Sequence, residues 1–250
     1  MEKRKWENMN EDCLVNIFKR LTLESQLLDI RVVCKSWNRT LRNPLCWQQL
    51  VFPPITHPRL SDSHGLIKCV VNRSQGCATT LALPNECSRE ELIYVSEKCP
   101  ALKMLTLPLF LCRNHSDIIP SLMVKWKNLE FLSLGDSSST IQILEHICSN
   151  LPNLSGLSIT DGYIDHETAL AIVSLAPKLK YLVLEGAELD KENLVLILQG
   201  CKQLVKLDVR NCIGFDADDE DISKLASGIK NFLCAGSIAE QYSWEDHGWV

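Results

Sequence analysis

The chain has 250 residues, of which 46% are hydrophobic and 23% charged, proportions that predict one compact domain plus a small module. Its formal net charge is −5 and no long lysine and arginine run is present, which argues against nucleic acid or an anionic membrane as a partner. No apolar run approaches the roughly 20 residues of a membrane span, and none follows the charges at the N-terminus, so we expect neither a transmembrane helix nor a secretory signal.

The twelve cysteines could form a disulfide framework, bind zinc or supply a nucleophile. A disulfide framework is disfavoured because the chain is not small and shows no secretory signal. Zinc is disfavoured because no C-x-x-C pair exists and the six histidines are scattered. No Cys/His signature indicates a nucleophile. We therefore interpret the cysteines as reduced, buried hydrophobes, expect no metal or other cofactor, and expect a protein of the cytoplasm and/or nucleus.

Two short helical patterns open the chain. The first is an apolar stripe with i, i+3, i+4, i+7 spacing, at Leu14, Ile17, Phe18 and Leu21. The second runs from Leu27 to Val33 and continues to Trp37, and Asn43-Pro44 should end the helix that carries it. A module this short buries little apolar surface by itself, so it should pack on something else. It is either a helical cap on the next domain or a docking module.

The order of the landmarks favours docking. A Leu-x-x-Ile-Phe-x-x-Leu pattern is followed by Val33-Cys34-x-x-Trp37 and then by Pro44-x-x-Trp47. This order resembles the F-box, the short helical motif that docks onto a Skp-type adaptor of a cullin-RING ubiquitin ligase. Two departures lie on the adaptor-facing side: Met9-Asn10 stands where the family usually has Leu-Pro, and residues 22–30 are one residue longer than the pattern.

The resemblance implies a set of adaptor-binding residues. They are Met9, Asn10, Leu14, Ile17, Phe18, Leu21, Val33, Cys34, Trp37, Pro44 and Trp47.

Residues 1–52 form the predicted F-box, and residues 53–76 a linker that leads into an entry helix. Pro53, Pro54 and Pro58 predict a stiff, extended linker. The apolar residues that follow predict a helix capping the first repeat; they are Leu66, Ile67, Val70 and Val71.

A repeat runs through the rest of the chain. The pattern Leu-x-x-Leu-x-Leu, with conservative replacements, starts at Leu102, Leu129, Leu154, Leu179, Leu204 and Ile229, and a further copy starts upstream at Ala78. From Leu102 onward the spacing is 27 residues once and then 25, a period that indicates a repeat array. The end of each motif alternates like a short strand. The residues between motifs carry an inward apolar helix face at Val95, Leu122, Ile147, Ile172, Ile197 and Ile222.

Each unit is therefore one strand and one helix, and stacking is what buries their apolar faces. The helix starts are marked by Ser88/Glu91 and Ser139/Gln142 capping boxes and by Asp165 and Asp190. Small or Cys residues three positions after each motif suit a tight turn; they are Ser137, Gly162, Ala187 and Cys212.

This pattern resembles the Cys-containing leucine-rich repeat, with Cys99 and Cys201 fitting that form. The predicted fold is α/β: a three-helix F-box, then a short leucine-rich repeat solenoid of about seven units over residues 77–235. Parallel strands would line the concave face and helices the convex face. Residues 236–250 form a C-terminal tail, whose Tyr242, Trp244 and Trp249 suit either a cap on the array or a linear partner motif. A compact α/β sheet is the alternative fold.

Similarity to plant-type F-box proteins with leucine-rich repeats implies the substrate receptor of an SCF-type E3 ligase. The partners would be a Skp-type adaptor, the cullin and RING subunits reached through it, and an unidentified protein substrate. No catalytic residue is then needed in this chain. A non-ligase interaction scaffold is the alternative, which the Met9-Asn10 departure supports.

An enzyme is disfavoured because the chain has no G-x-x-x-x-G-K, H-E-x-x-H or G-x-S-x-G motif. The acidic run at 216–221 is interpreted as the start of a helix rather than a metal loop.

The strand residues that alternate outward are the candidate substrate-binding surface. Exposed aromatic residues beside arginine are typical anchors of interfaces, although the same charges could simply pair across strands. The candidates are Phe131, Ser133, Ser158, Tyr181, Glu185, Lys206, Asp208 and Arg210.

Overall fold

The computed structural model describes residues 6–53, 63–135, 140–175 and 177–239. The chain divides into two compact units, Met1–Glu130 and Phe131–Val250. Most of the predicted linker, with Pro54 and Pro58, lies outside the described residues. So do Ser137 and the aromatic residues of the predicted tail.

The first unit begins with short helices. A 3₁₀ turn at Trp6–Asn8 precedes α1 (Glu11–Phe18), α2 (Leu23–Ser25), α3 (Arg31–Val33) and α4 (Lys35–Thr40), and a second 3₁₀ turn covers Pro44–Trp47. Leu21 lies after the end of α1, so the predicted stripe extends past the helix that carries it. Helix α4 ends before Asn43, whose backbone is extended. The Asn43 side-chain oxygen caps the second 3₁₀ turn by accepting a hydrogen bond from the Leu45 N–H at 3.0 Å.

The Met9-Asn10 departure preserves the start of α1. Asn10 has a φ of −54°, close to the value that a proline ring would impose. Its side-chain oxygen also accepts a hydrogen bond from the Asp12 N–H at 2.7 Å, which a proline could not do. The helix therefore begins at the position where the family pattern expects it.

The extra residue in the second helical stretch is absorbed as a π turn. Residues 23–33 are helical throughout, but Gln26–Ile30 between α2 and α3 forms a π-helical segment. A π turn fits one more residue into a helix than regular α geometry does. The three helices predicted for this module are α1, the continuous stretch 23–33, and α4.

Strands and further helices complete the first unit. Strands β1 (Gln49–Val51), β2 (Thr80–Ala82) and β3 (Met104–Leu107) pair in parallel, with Leu50, Leu81 and Leu105 aligned and buried. The helices are α5 (Ser63–Ser74), α6 (Arg89–Lys98), α7 (Leu109–Asn114) and α8 (Ile119–Met123). Because β1 follows the short helices directly, the segment predicted as the F-box contributes the first of these strands.

The second unit has five parallel strands in an unbroken register. They are β4 (Phe131–Gly135), β5 (Gly156–Thr160), β6 (Tyr181–Val183), β7 (Lys206–Asp208) and β8 (Asn231–Leu233). Helices α9 (Thr140–Asn150), α10 (His166–Ser174), α11 (Lys191–Gly200) and α12 (Glu220–Leu225) alternate with them. Ile147, Ile172, Ile197 and Ile222, one per helix, are all buried, as their shared phase predicted.

The turns after the strands repeat with the same period, but one residue earlier than the sequence suggested. The left-handed positions are Asp161, Gly186, Asn211 and Gly236, with φ values of 52°, 73°, 56° and 81°. The residues one position later were expected to form the turn because they are small. Two of them, Ala187 and Cys212, are instead buried in the core. Aspartate, asparagine and glycine are the residues that tolerate the left-handed region best, which explains the observed positions.

Two of the four predicted helix caps are present, and a third, the Ser139/Gln142 box, includes a residue outside the described ones. Ser88 and Glu91 form a reciprocal capping box, and Asp165 accepts from the Thr168 N–H at 2.8 Å. Asp190 stands at the start of α11 without a side-chain capping bond. The predicted α/β class, a three-helix F-box followed by leucine-rich-type strand and helix repeats, is confirmed. Among the described residues, no helix has both the length and the apolarity to cross a bilayer.

Candidate functional site

Three of the landmark residues lie in the core of the helical module. Leu14, Phe18 and Trp47 are almost completely buried, and the Phe18 ring packs edge-on against Trp37 at 5.4 Å between centroids. The Trp47 indole N–H donates to the Leu41 carbonyl at 2.7 Å. In this structure these side chains hold the module together and are not available to an incoming partner.

Other landmarks are exposed. Ile17 is 39% exposed and Val33 is 54% exposed, and both are predicted adaptor contacts. Asn10 is exposed as well, whereas Met9, Leu21, Cys34, Trp37 and Pro44 are half-buried. Among the predicted adaptor contacts, Ile17 and Val33 are therefore the large apolar residues whose side chains are exposed.

Sequence reasoning missed three exposed apolar neighbours in this module. Trp6 is 61% exposed, Val32 is 74% exposed and Leu45 is 46% exposed. Val32 directly precedes Val33, which is exposed as well, and two adjacent apolar residues at the Val-Cys landmark were the signal that could have identified it. The Trp37 indole nitrogen lies 3.4 Å from the Trp6 carbonyl, which links the first 3₁₀ turn to α4.

Gln26 is a fourth residue of this module that the sequence patterns did not reveal. It lies in the π turn with its side chain buried, and its amide donates to the carbonyls of Phe18 at 2.6 Å and Cys46 at 3.1 Å. These bonds tie the π turn to the end of α1 and to the second 3₁₀ turn. Because α3 continues directly from the π turn, Gln26 helps fix the position of Val32 and Val33 on the surface of the module.

In the second unit, the outward residues of neighbouring strands form rows. One row aligns Phe131, Gly156, Tyr181 and Lys206, and the next aligns Ser133, Ser158, Val183 and Asp208. Phe131, Ser133 and Lys206 are half-buried, Tyr181 is 42% exposed, and Ser158 is buried. We call the outward side of β4 to β7, with Glu185 and Arg210 just beyond the strand ends, the strand face.

A glycine shapes the aromatic part of the strand face. A Cβ at Gly156 would lie only 2.2 Å from Cδ2 of the Phe131 ring, so this ring lies against the Gly156 backbone. Glycine allows that approach because it has no side chain. Phe131 thus covers the neighbouring strand and presents the rest of its ring outward.

Charged residues at the other end of the strand face pair with one another. Arg210 donates to Asp208 through Nε at 2.8 Å and Nη2 at 2.9 Å, and its Nη2 lies 3.4 Å from Glu185. The Lys206 ammonium lies 3.2 Å from the same Asp208 carboxylate. Asp208 is thus occupied by internal partners, while Glu185, Lys206 and Arg210 stay partly exposed.

Asp208 has a shifted pKa. Burial would by itself raise the pKa of this carboxyl, but hydrogen bonds from Arg210 and Lys206 and their positive charges outweigh burial, and its pKa is lowered. Its role in this structure is to hold two cations in place.

Replacing Asp208 by asparagine is expected to lower the free energy of unfolding at pH 7 by about 1–3 kcal/mol, because charge-assisted hydrogen bonds are lost. Since the folded-state pKa is lowered, this contribution is fully present above the unfolded pKa of about 4 and is lost as pH falls through the folded-state pKa. Urea unfolding of both proteins at pH 7 and at a series of acidic pH values measures the difference, which should shrink on acidification. A difference that grew on acidification would contradict this assignment.

The cysteines in the described residues are unpaired thiols. Burial raises the pKa of Cys46, Cys201 and Cys212 to about 11 and that of Cys87 and Cys99 to about 12. Thiols with such pKa values carry almost no thiolate at neutral pH, so these five are poor nucleophiles. No group of three His, Cys, Asp or Glu side chains that could hold a metal ion occurs among the residues that the structure describes.

Comparison with known proteins agrees with both parts of the architecture. Residues 6–49 match the model of the F-box domain. An F-box/LRR-repeat protein of Arabidopsis thaliana is 25% identical, with 82% of this chain and 72% of the relative aligned. The F-box protein FBW2 of the same plant is 25% identical, covering 88% and 72%. F-box/LRR-repeat protein 22 of Arabidopsis thaliana is 28% identical, with 96% of this chain and 80% of the relative aligned.

The helical module and its match define an F-box domain, and an F-box domain implies binding of a Skp-type adaptor. Proteins that combine this module with leucine-rich repeats are generally adaptor-type subunits. Over most of its length the chain is similar to plant F-box/LRR-repeat proteins, which agrees with the repeats that follow its F-box.

Proposed function

We propose that this chain is the substrate-recognition subunit of an SCF-type E3 ubiquitin ligase. The observation that carries the proposal is the joining of a matched F-box to repeats with a partly exposed strand face. In this function the F-box binds the Skp-type adaptor, which connects the chain to the cullin and RING subunits. The repeats bind a target protein for ubiquitination and degradation, in the cytoplasm and/or nucleus.

The chain itself has a non-catalytic part in this proposal. Ubiquitin transfer belongs to the RING subunit and the conjugating enzyme that it recruits. The receptor raises the effective concentration of substrate lysines near that enzyme. On the strand face, Phe131 and Tyr181 offer aromatic contact area, and Arg210 and Lys206 offer charge.

Adaptor binding is tested by co-purification of the full chain with a Skp-type adaptor. Changing Ile17 and Val33 to aspartate is expected to weaken binding at least tenfold, because each change removes apolar contact and would bury an unpaired charge in the interface. These two residues suit the test because their side chains are exposed, so the folded module should survive the change.

The control combines Phe110→Asp with Val124→Asp, which places the same two charges at residues that are 59% and 38% exposed outside the matched F-box. It should bind the adaptor like the wild type, and circular dichroism should show both variants folded. Absence of binding by the wild-type chain would instead support the alternative, a non-ligase interaction scaffold. The specific feature behind that alternative is Met9-Asn10, although Asn10 keeps the backbone that a proline would give.

A further inference from the structure

One edge of the second unit is strongly acidic. It consists of the segments that lead from the strand ends into helices α10, α11 and α12. Its acids are Asp161, Asp165, Glu167, Glu185, Glu188, Asp190, Glu192, Asp216, Asp218, Asp219, Glu220 and Asp221, against the cations Lys191, Arg210 and Lys224, the last of which pairs with Glu220 and Asp221. Acids at helix starts complement the helix dipole, and this accounts for some of them. The excess of negative charge is far larger than three helix starts require.

A groove of about 700 Å³ opens in this edge between the first turns of α10 and α11. Its apolar lining includes Tyr163, Val195 and Leu196, and its acidic lining includes Asp165, Asp190 and Glu192. Tyr163 is 55% exposed, and Val195 and Leu196 are half-buried. The groove therefore combines uncovered apolar surface with carboxylates.

Two of these carboxylates are not used by the fold. Asp165 caps α10, but Asp190 stands at the equivalent position of α11 and makes no side-chain capping bond. Asp190 and Glu192 are both exposed. The cation between them in sequence, Lys191, is directed to the next repeat, where its ammonium lies 2.5 Å from Asp219. His166 also lines the groove, beside Asp165, but within the part of the chain that the structure describes no cation pairs with the carboxylates of Asp190 and Glu192.

We propose that this groove is a docking site for a partner segment in which an apolar side chain is flanked by lysine or arginine. The apolar side chain would cover Tyr163 and Leu196, and the basic side chains would pair with Asp190 and Glu192. Charge complementarity selects this chemistry, because an acidic segment would be repelled by the same carboxylates. The site is separate from the strand face and does not depend on the ligase function.

The test uses the full chain and a short fluorescent peptide in which leucine alternates with lysine and arginine. Asp190→Asn combined with Glu192→Gln is expected to weaken peptide binding about fivefold or more, and Tyr163→Ser to weaken it as well. The matched control, Asp218→Asn with Glu220→Gln, removes two exposed charges from the same edge outside the groove and should stay within about twofold of the wild type.

Peptides in which glutamate replaces the basic residues, or serine replaces leucine, should bind weakly. Equal losses in the groove and control variants would show only general attraction to an acidic edge and would overturn the proposal. So would a second copy of this chain as the occupant, shown by dimers in sedimentation that Asp190→Asn/Glu192→Gln disrupts. Thermal unfolding of each variant establishes that the repeats stay folded.

Discussion

Replacing Trp47 by alanine is expected to lower the free energy of unfolding of the first unit by about 3–5 kcal/mol. Trp47 is fully buried, and its indole N–H donates to the Leu41 carbonyl. The Arg73 guanidinium of α5 also lies 4.9 Å from the centroid of the indole ring. The variant therefore loses core packing, a buried hydrogen bond and a contact to α5. Urea unfolding followed by circular dichroism measures the loss.

Trp126 provides the comparison for this prediction. It is equally buried, but its indole N–H has no hydrogen-bond partner among the described residues. Changing tryptophan to phenylalanine should therefore cost more at position 47, where a buried carbonyl loses its donor, than at position 126, where an unpaired donor is removed. Equal costs at both positions would mean that packing alone decides, and that the Leu41 bond adds nothing measurable.

Replacing Gly214 by alanine is expected to destabilise the second unit by about 2–4 kcal/mol. Gly214 has a φ of 121°, a region that residues with a side chain rarely adopt. A Cβ at this position would also lie 2.5 Å from the Leu189 carbonyl oxygen. Neither backbone can easily yield, because the Gly214 N–H donates to Ile238 and the Leu189 N–H donates to Ile213. The midpoint of thermal or urea unfolding reports the cost.

Gly228 is the matched control for this substitution. A Cβ there would meet no atom within 4 Å, and its backbone is outside the left-handed region. Gly228→Ala should consequently stay within about 0.5 kcal/mol of the wild type. If both variants behaved alike, the close approach between the backbones of Gly214 and Leu189 would not be a determinant of stability.

The stability predictions also sharpen the functional tests. A Trp47 variant should lose adaptor binding because the module unfolds, whereas Ile17→Asp/Val33→Asp should lose it while remaining folded. Leu14 is unsuitable as a contact probe because its side chain is 1% exposed, so its truncation would mix the two effects. Pairing a core variant with a surface variant separates the fold of the F-box from its binding surface.

Internal ion pairs affect what the strand face can recognise. Arg210 already makes two hydrogen bonds to Asp208, so a partner carboxylate must either use the free edge of the guanidinium or displace that pair. Paired charges are held in a defined geometry, which reduces the entropy cost of binding. We therefore expect charge at this end of the strand face to contribute selectivity, with Phe131 and Tyr181 contributing contact area.

Periodic features of the fold were predictable from the chain. The 25-residue spacing predicted one strand and one helix per repeat in the second unit. The strands were recognisable because their buried side chains alternate with exposed ones, and the helices because their apolar residues recur every 3.6 positions. The Ser88/Glu91 capping box was predictable for the same reason, since its partners are three residues apart. The F-box landmarks predicted the three short helices and the end of the last one near Asn43-Pro44.

The sequence by itself determined the strand and helix alternation, the caps and the family pattern, since all of these depend on neighbours within one or two turns. Tertiary packing alone decided which F-box landmarks are buried, as with Leu14 and Trp47, and which stay exposed, as with Ile17 and Val33. It also decided that an extra residue becomes a π turn held by Gln26, and that Asp208 is occupied by Arg210 and Lys206. These outcomes depend on residues distant in sequence meeting in space, and such meetings leave no periodic signal in a single chain.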